Sequence, residues 1–181
     1  MIVIDPELEP APASRSSGGR KTVLRAQDAA ERNAALPSTA VLSRFLKSAR
    51  TAVKLRGEVN VLLTSDAEIR RLNRTYRKKN KATDVLSFPA EGPAASGIAG
   101  DLAISVPTAA AQAVRLGNSL STEIKILMLH GLLHLAGYDH ETDTGQMARR
   151  ERLLRAKLRL PAGLIERTAE ANPAPQKKVK A

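Results

Sequence analysis

The three histidines of this chain lie within one stretch of eleven residues, and their spacing restricts how the chain can fold. His130 and His134 are four positions apart, so a helix places both side chains on one face. Gly137 follows three positions later, and glycine readily adopts the left-handed conformation that ends a helix. A turn there can bring His140 back to the other two imidazoles. The pattern therefore predicts a helix, a turn and three nitrogen ligands around one metal ion.

Three neutral imidazoles with an open fourth position are the ligand set of a catalytic zinc site, so one Zn²⁺ per chain is expected. Nickel or copper also accepts nitrogen ligands of this kind. The histidines could instead be ordinary core residues, but their spacing favours metal binding. The spacing also matches the metzincin pattern H-E-x-x-H-x-x-G-x-x-H, with Gly131 in place of the glutamate that serves as general base. A metallopeptidase or another zinc hydrolase therefore remains an alternative, weakened by the missing base.

The segment that carries His130 and His134 is apolar on nearly every side, which is typical of a buried helix. Ser121 is its predicted N-cap. Elsewhere the patterns predict the order β-α-β-α-β-β-α-α-α, with a helix after Ser38, a capping box at Ser65 and an antiparallel strand pair before the buried helix. The predicted fold is α+β, in which a small mixed sheet of about four strands packs against a buried metal-bearing helix and flanking helices.

The chain is expected to form one domain with loose ends. The first strand is either residues 2–4 or residues 22–24, and the sequence does not choose between them. Residues 1–35 are predicted to hold this strand and a flexible insertion rich in Pro, Ser, Ala and Gly. Residues 36–160 form the predicted metal-dependent domain, and residues 161–181 a disordered basic tail.

The net charge of +11 predicts a polyanionic partner, which we interpret as nucleic acid rather than an anionic membrane. Aromatic residues make up only 2% of the chain, so a base-stacking sheet platform is not expected, and binding should depend mainly on phosphate contacts. The absence of cysteine excludes disulfides and thiolate metal sites, and it suits a reducing cytoplasm. No stretch predicts a secretory signal or a transmembrane helix, so a cytoplasmic protein without membrane contact is expected.

The densest positive charge lies in residues 70–81, where seven of twelve residues are Lys or Arg and none is acidic. The cations in the first half of this segment fit a solvated helix face equally well. The remaining ones are predicted to bind RNA through its phosphates: Arg77, Lys78, Lys79 and Lys81. A second basic face, in residues 149–159, is interpreted as solvated surface.

The stretch HGLLHLAGYDH resembles the signature H-G-x-L-H-L-x-G-Y-D-H of the YbeY family. Two further stretches are similar to that family: residues 72–89, with Leu72-Asn73, Tyr76-Arg77 and the run TDVLSFP, and Gly100-Asp101-Leu102. The resemblance covers roughly residues 36–158. It implies a zincin-like fold and a zinc-dependent, single-strand-specific endoribonuclease that acts in 16S rRNA 3′-end maturation and ribosome quality control. The implied partners are rRNA and the small ribosomal subunit, with no small-molecule cofactor.

The expected metal ligands are His130, His134 and His140, and the expected catalytic residues are His130 and Arg77, whose guanidinium the resemblance implies to lie in the active cleft. Zinc would lower the pKa of a water ligand or polarise a phosphate oxygen, and the nucleophile is either water or the 2′-hydroxyl of the RNA. Asp84 or another strand-end acid, Asp101, would support a histidine N–H or serve a turn. A non-enzymatic ribosome assembly factor, in which zinc only holds the turn against the helix, is the other alternative.

Overall fold

The computed structural model describes residues 1–8, 31, 33–90 and 97–161 of the chain. Its sheet contains four strands, β1 (Ile2–Ile4), β2 (Glu58–Thr64), β3 (Val85–Pro89) and β4 (Ile98–Ser105). The described residues include the helices α1 (Thr39–Val53), α2 (Asp66–Arg77), α3 (Val106–Leu116), α4 (Leu120–Leu135) and α5 (Gln146–Leu158). A short 3₁₀ turn, Pro6–Leu8, follows β1. The predicted α+β class and the predicted order of elements are both confirmed.

The sheet is mixed, with the strand order β1-β2-β4-β3. β2 pairs in parallel with β1 and with β4, so Val61 lies opposite Ile2 on one side and Leu102 on the other. β3 runs antiparallel to β4, as predicted for two strands joined by a short connection, and it forms one edge of the sheet. The first strand is residues 2–4; the competing candidate, residues 22–24, lies outside the described residues.

The main hydrophobic core lies between one face of the sheet and α4. Alternate residues of β2 point into it, and Val59, Val61 and Leu63 are all completely buried. Burying a side chain of this size contributes about 1.5–3 kcal/mol, so these positions alone stabilise the sheet–helix contact substantially. α4 has eleven buried residues distributed around its circumference, which confirms the prediction of a buried helix.

The opposite face of the sheet carries α2 over a smaller cluster, in which Ile69 packs with Leu86 and Ala103. The Ser65 hydroxyl accepts a hydrogen bond from the Glu68 amide at 3.3 Å, so the predicted N-cap of α2 is confirmed. α2 ends at Arg77, because Lys78 adopts a left-handed backbone conformation with φ of 58°. The last turn of α2 therefore lies at the edge strand β3, where it can reach the other side of the sheet.

One predicted cap was wrong. α4 begins at Leu120, and its N-cap is Ser119 rather than Ser121. Ser119 has extended backbone angles, and its hydroxyl accepts from the Thr122 amide at 3.1 Å, whereas Ser121 already lies inside the helix. Two serines two positions apart offer similar signals, and the left-handed residue Gly117 sets which of them follows the turn.

The predicted insertion within residues 1–35 and the predicted basic tail fall mainly outside the described residues, so both stay predictions. Within the part of the chain that the structure describes, no helix combines the length and the apolar character needed to span a membrane.

Candidate metal centre

α4 and the turn after it bring the three histidines together. His130 and His134 share one face of α4, and their Nε2 atoms are 3.2 Å apart. The helix ends at Leu135, and Gly137 takes a φ of 88°, the left-handed conformation expected for a turn there. The Tyr138 amide donates to the Leu133 carbonyl at 3.1 Å, which folds the chain back along the helix end. The predicted helix and turn are therefore present, and they place His140 beside the other two imidazoles.

The three imidazoles form a compact cluster. One ring nitrogen from each histidine lies within 4.8 Å of the corresponding nitrogens of the others, and the ring centroids are 4.9 to 5.3 Å apart. Nitrogens bound tetrahedrally to zinc at about 2.1 Å would be about 3.4 Å apart. The observed cluster is therefore close to that arrangement, and small side-chain movements would complete it. The three residues fit one metal ion, with a fourth position open to the cleft.

The electrostatic environment favours the neutral, metal-binding form of His134. Burial, together with the neighbouring His130 and His140, lowers the pKa of His134 to about 4. At neutral pH its imidazole therefore carries a lone pair without first losing a proton. A ligand in this state binds a cation without competition from protons.

His130 is held from behind by a buried ion pair on α5. Its Nδ1 lies 3.1 Å from Oε2 of Glu151, and the other carboxylate oxygen accepts from Nε of Arg155 at 2.7 Å. Glu151 is 1% exposed and Arg155 is 2% exposed. A carboxylate can only accept, so Nδ1 of His130 carries the hydrogen and Nε2 presents its lone pair to the cluster. Arg155 also donates to the Pro161 carbonyl at 3.2 Å, which ties the end of α5 into the same network.

This network corrects two sequence predictions. Arg155 was assigned to a solvated basic face, but it is buried against Glu151. The histidine N–H support was sought in Asp84 and Asp101, whereas the partner of His130 Nδ1 is Glu151. The signal that was missed is helical periodicity, because Met147, Glu151 and Leu154 share the buried stripe of α5. Asp84 serves a turn, accepting from the Val85 amide at 2.9 Å.

The histidine cluster lies in a cleft of about 730 Å³ between the edge of the sheet and the end of α4. Residues from both sides line it: Arg77, Lys79, Thr83, Asp84, Val85, Ser87, Pro89, His130, His134, Gly137, Tyr138, Asp139, His140 and Glu141. Two of the four cations predicted to bind RNA, Arg77 and Lys79, thus share the cleft with the histidines. Lys78 and Lys81 are exposed but do not line it, and the Nζ of Lys78 donates to the Thr75 carbonyl at 3.1 Å.

The loop that carries these cations is anchored by a buried amide. Asn73 is 2% exposed, and its Nδ2 donates to the Lys81 carbonyl at 2.8 Å. Its own carbonyl accepts from the Lys79 amide at 3.2 Å. Both ends of the segment after α2 are thereby tied to one side chain position, which keeps Arg77 and Lys79 at the rim of the cleft.

Gly131 explains why the glutamate of the metzincin pattern is absent. A Cβ at this position would lie 2.7 Å from Cδ2 of Leu102 and 3.2 Å from Oγ of Ser87, so the helix packs too closely on the sheet for a larger residue. Leu102 is 1% exposed in the core and has little freedom to move away. A carboxylate here would face the sheet rather than the cleft, and the arrangement therefore disfavours the metallopeptidase alternative.

A comparison with protein families matches residues 25–159 to the family described as Endoribonuclease YbeY. A protein named Endoribonuclease YbeY from Koribacter versatilis is 57% identical over 129 residues, which cover 71% of this chain and 83% of that protein. The protein of the same name from Solibacter usitatus is 54% identical over 126 residues, covering 70% and 83%. Among solved structures, the solution structure of TM1509 from Thermotoga maritima is similar, with a TM-score of 0.50 and 25% identity, over 80% of this chain and 96% of that one.

Proposed function

The chain belongs to the YbeY family of endoribonucleases, and from that premise we propose that it cuts single-stranded RNA with the help of one zinc ion held by His130, His134 and His140. The observation that carries the proposal is the cleft itself, in which three imidazoles lie opposite Arg77 and Lys79. The net charge of +11 supports a polyanionic substrate. We further propose that the substrate is the 3′ region of 16S rRNA in the small ribosomal subunit, in the cytoplasm, a part that rests on the family resemblance.

Each residue of the cleft has a distinct task in this proposal. The guanidinium of Arg77 binds the scissile phosphate with two hydrogen bonds and stabilises the charge that develops on it. His130 is the most constrained of the three ligands, because Glu151 fixes both its tautomer and its ring orientation. A bound zinc ion would supply Lewis-acid chemistry at the open position, either at a phosphate oxygen or by lowering the pKa of water. Lys79 adds positive charge at the rim.

Two nucleophiles remain compatible with this cleft, water and the 2′-hydroxyl of the RNA. Gly131 excludes a general base at the position where metzincins carry one. Asp139 lines the cleft, but hydrogen bonds from the Glu141 amide and the Thr142 hydroxyl lower its pKa and hold the carboxylate in the turn. Mapping the product ends separates the two routes, because a 2′,3′-cyclic phosphate forms only when the 2′-hydroxyl attacks.

Metal removal tests the proposed function directly. The purified full-length chain is loaded with zinc and incubated with a labelled single-stranded rRNA fragment, beside a chelated sample and the same sample after zinc is restored. We expect cutting only in the two zinc-containing samples, because the histidine cluster provides the metal ligands of the cleft. Equal cutting in all three samples would indicate a contaminating nuclease. A zinc-loaded chain that leaves the RNA intact would favour the non-enzymatic assembly factor.

Replacing Arg77 with alanine is expected to lower the cleavage rate about 100- to 1000-fold, the usual cost of removing one preorganised donor to a transition-state oxyanion. Zinc content should stay unchanged, since Arg77 is exposed and belongs to the opposite wall of the cleft. Arg74→Ala is the matched control, because it removes an exposed arginine from the same helix outside the cleft. Equal rates for the two variants would remove Arg77 from the catalytic machinery.

A further inference from the structure

The sheet carries a second groove on the face opposite the metal cluster. It has a volume of about 410 Å³, and its walls include Tyr76, Phe88, Leu72 and Leu102. The two aromatic rings meet edge to face with centroids 5.2 Å apart, while Tyr76 remains 66% exposed. An aromatic residue with this much exposed surface, held in place by a second ring, is typical of a binding site rather than of a core.

The groove and the metal cleft meet at the edge strand β3. Side chains alternate along a strand, so Phe88 lines the groove while its neighbours Ser87 and Pro89 line the cleft. On α2 the same change occurs between adjacent residues, because Tyr76 lines the groove and Arg77 lines the cleft. A chain that crosses this edge would therefore touch Arg77 on one side and Tyr76 on the other.

We propose that the groove is a stacking site for one nucleobase of single-stranded RNA, adjacent to the nucleotide whose phosphate contacts Arg77. The inference rests on the proposed function, and it adds a base contact to a site otherwise defined by phosphate contacts. An aromatic face accepts any base, which suits binding without strict sequence preference. The low aromatic content predicted no broad stacking platform, and a single Tyr76–Phe88 pair is consistent with that prediction.

The surrounding charge favours RNA over an apolar protein segment. The segment of residues 70–81 has seven cations and no acid, and it forms the wall that carries Tyr76. Asp101 is the acidic residue among the groove walls, and its carboxylate accepts from Nδ2 of Asn60 at 2.9 Å. A carboxylate in that position can also accept from the exocyclic amino group of a base, so it does not exclude a nucleotide.

The test compares two single-stranded 2′-O-methyl RNA oligonucleotides of equal length, one normal and one with abasic spacers, bound to the zinc-loaded full-length chain. Fluorescence anisotropy gives the affinities, and a gel verifies that the oligonucleotides stay intact. Tyr76→Ala should weaken binding of the normal oligonucleotide about 5- to 150-fold and leave the abasic one unchanged, since stacking needs the base. Tyr76→Phe should bind like wild type. Arg77→Ala should weaken both oligonucleotides, because phosphates are present in each.

Leu153→Ala is the matched control, since Leu153 on α5 is 65% exposed and lies outside both the groove and the cleft. The proposal is overturned if Tyr76→Ala binds the normal oligonucleotide like wild type, or weakens both oligonucleotides equally. It is also overturned if sedimentation shows that Tyr76→Ala changes the oligomeric state, because the groove would then be an interface between copies. A wild-type chain that binds bases through Tyr76 but leaves unmodified RNA uncut would contradict the proposed function and leave the stacking site intact.

Discussion

Replacing His134 with alanine is expected to remove zinc from the cleft and to lower RNA cleavage by about 1000-fold or more. A catalytic metal ion contributes several kcal/mol of transition-state stabilisation, and each 1.4 kcal/mol corresponds to about a factor of ten in rate. His134 is a better choice than His130 for this test. His134 is only half-buried, whereas His130 is 6% exposed and bonded to Glu151, so its loss would also disturb the interior.

The measurements are zinc content, cleavage rate and thermal melting of the zinc-free proteins. We expect the zinc-free wild type and His134→Ala to melt at similar temperatures, because the substituted ring contributes little to the core. A variant that melts normally, lacks zinc and no longer cuts would separate the metal requirement from folding. Stoichiometric zinc together with wild-type cleavage in His134→Ala would remove this residue from the ligand set.

The histidine cluster could be predicted because the information is local. A spacing of four residues, a glycine at the helix end and a third histidine after the turn are all readable within one short segment. The order of strands and helices was equally accessible, since each element carries its own hydrophobic period. The apolar character of α4 also indicated that the ligands would lie on a rigid, buried element, and eleven of its residues are buried.

The features that sequence reasoning missed depend on contacts between distant segments. Glu151 lies 21 positions after His130, and nothing local indicates that α5 packs its carboxylate against that ring. The proposed stacking groove likewise requires α2 to lie over β3, which brings Tyr76 to Phe88. Charged residues such as Arg155 are usually assigned to the surface, and only the partner carboxylate makes its burial tolerable.

Replacing Glu151 with alanine is expected to destabilise the zinc-free fold by about 3–5 kcal/mol, the usual cost of breaking a buried ion pair from one side. The Arg155 guanidinium, 2% exposed, would lose the carboxylate that accepts from it at 2.7 Å. The same substitution removes the acceptor for Nδ1 of His130, so zinc affinity should fall about 10- to 100-fold. Urea unfolding with and without zinc, together with a zinc titration, measures both effects.

The two effects of Glu151→Ala can be separated by linkage. Zinc stabilises the folded state according to its affinity, so a 10- to 100-fold weaker site loses about 1.4–2.7 kcal/mol of that stabilisation at saturating zinc. The destabilisation should therefore be larger with zinc than without it. Glu151→Gln keeps the shape and one acceptor oxygen while removing the charge, so it should retain more zinc affinity than Glu151→Ala. Equal losses in stability with and without zinc would show that the ion pair supports only the fold, and that His130 binds metal without its help.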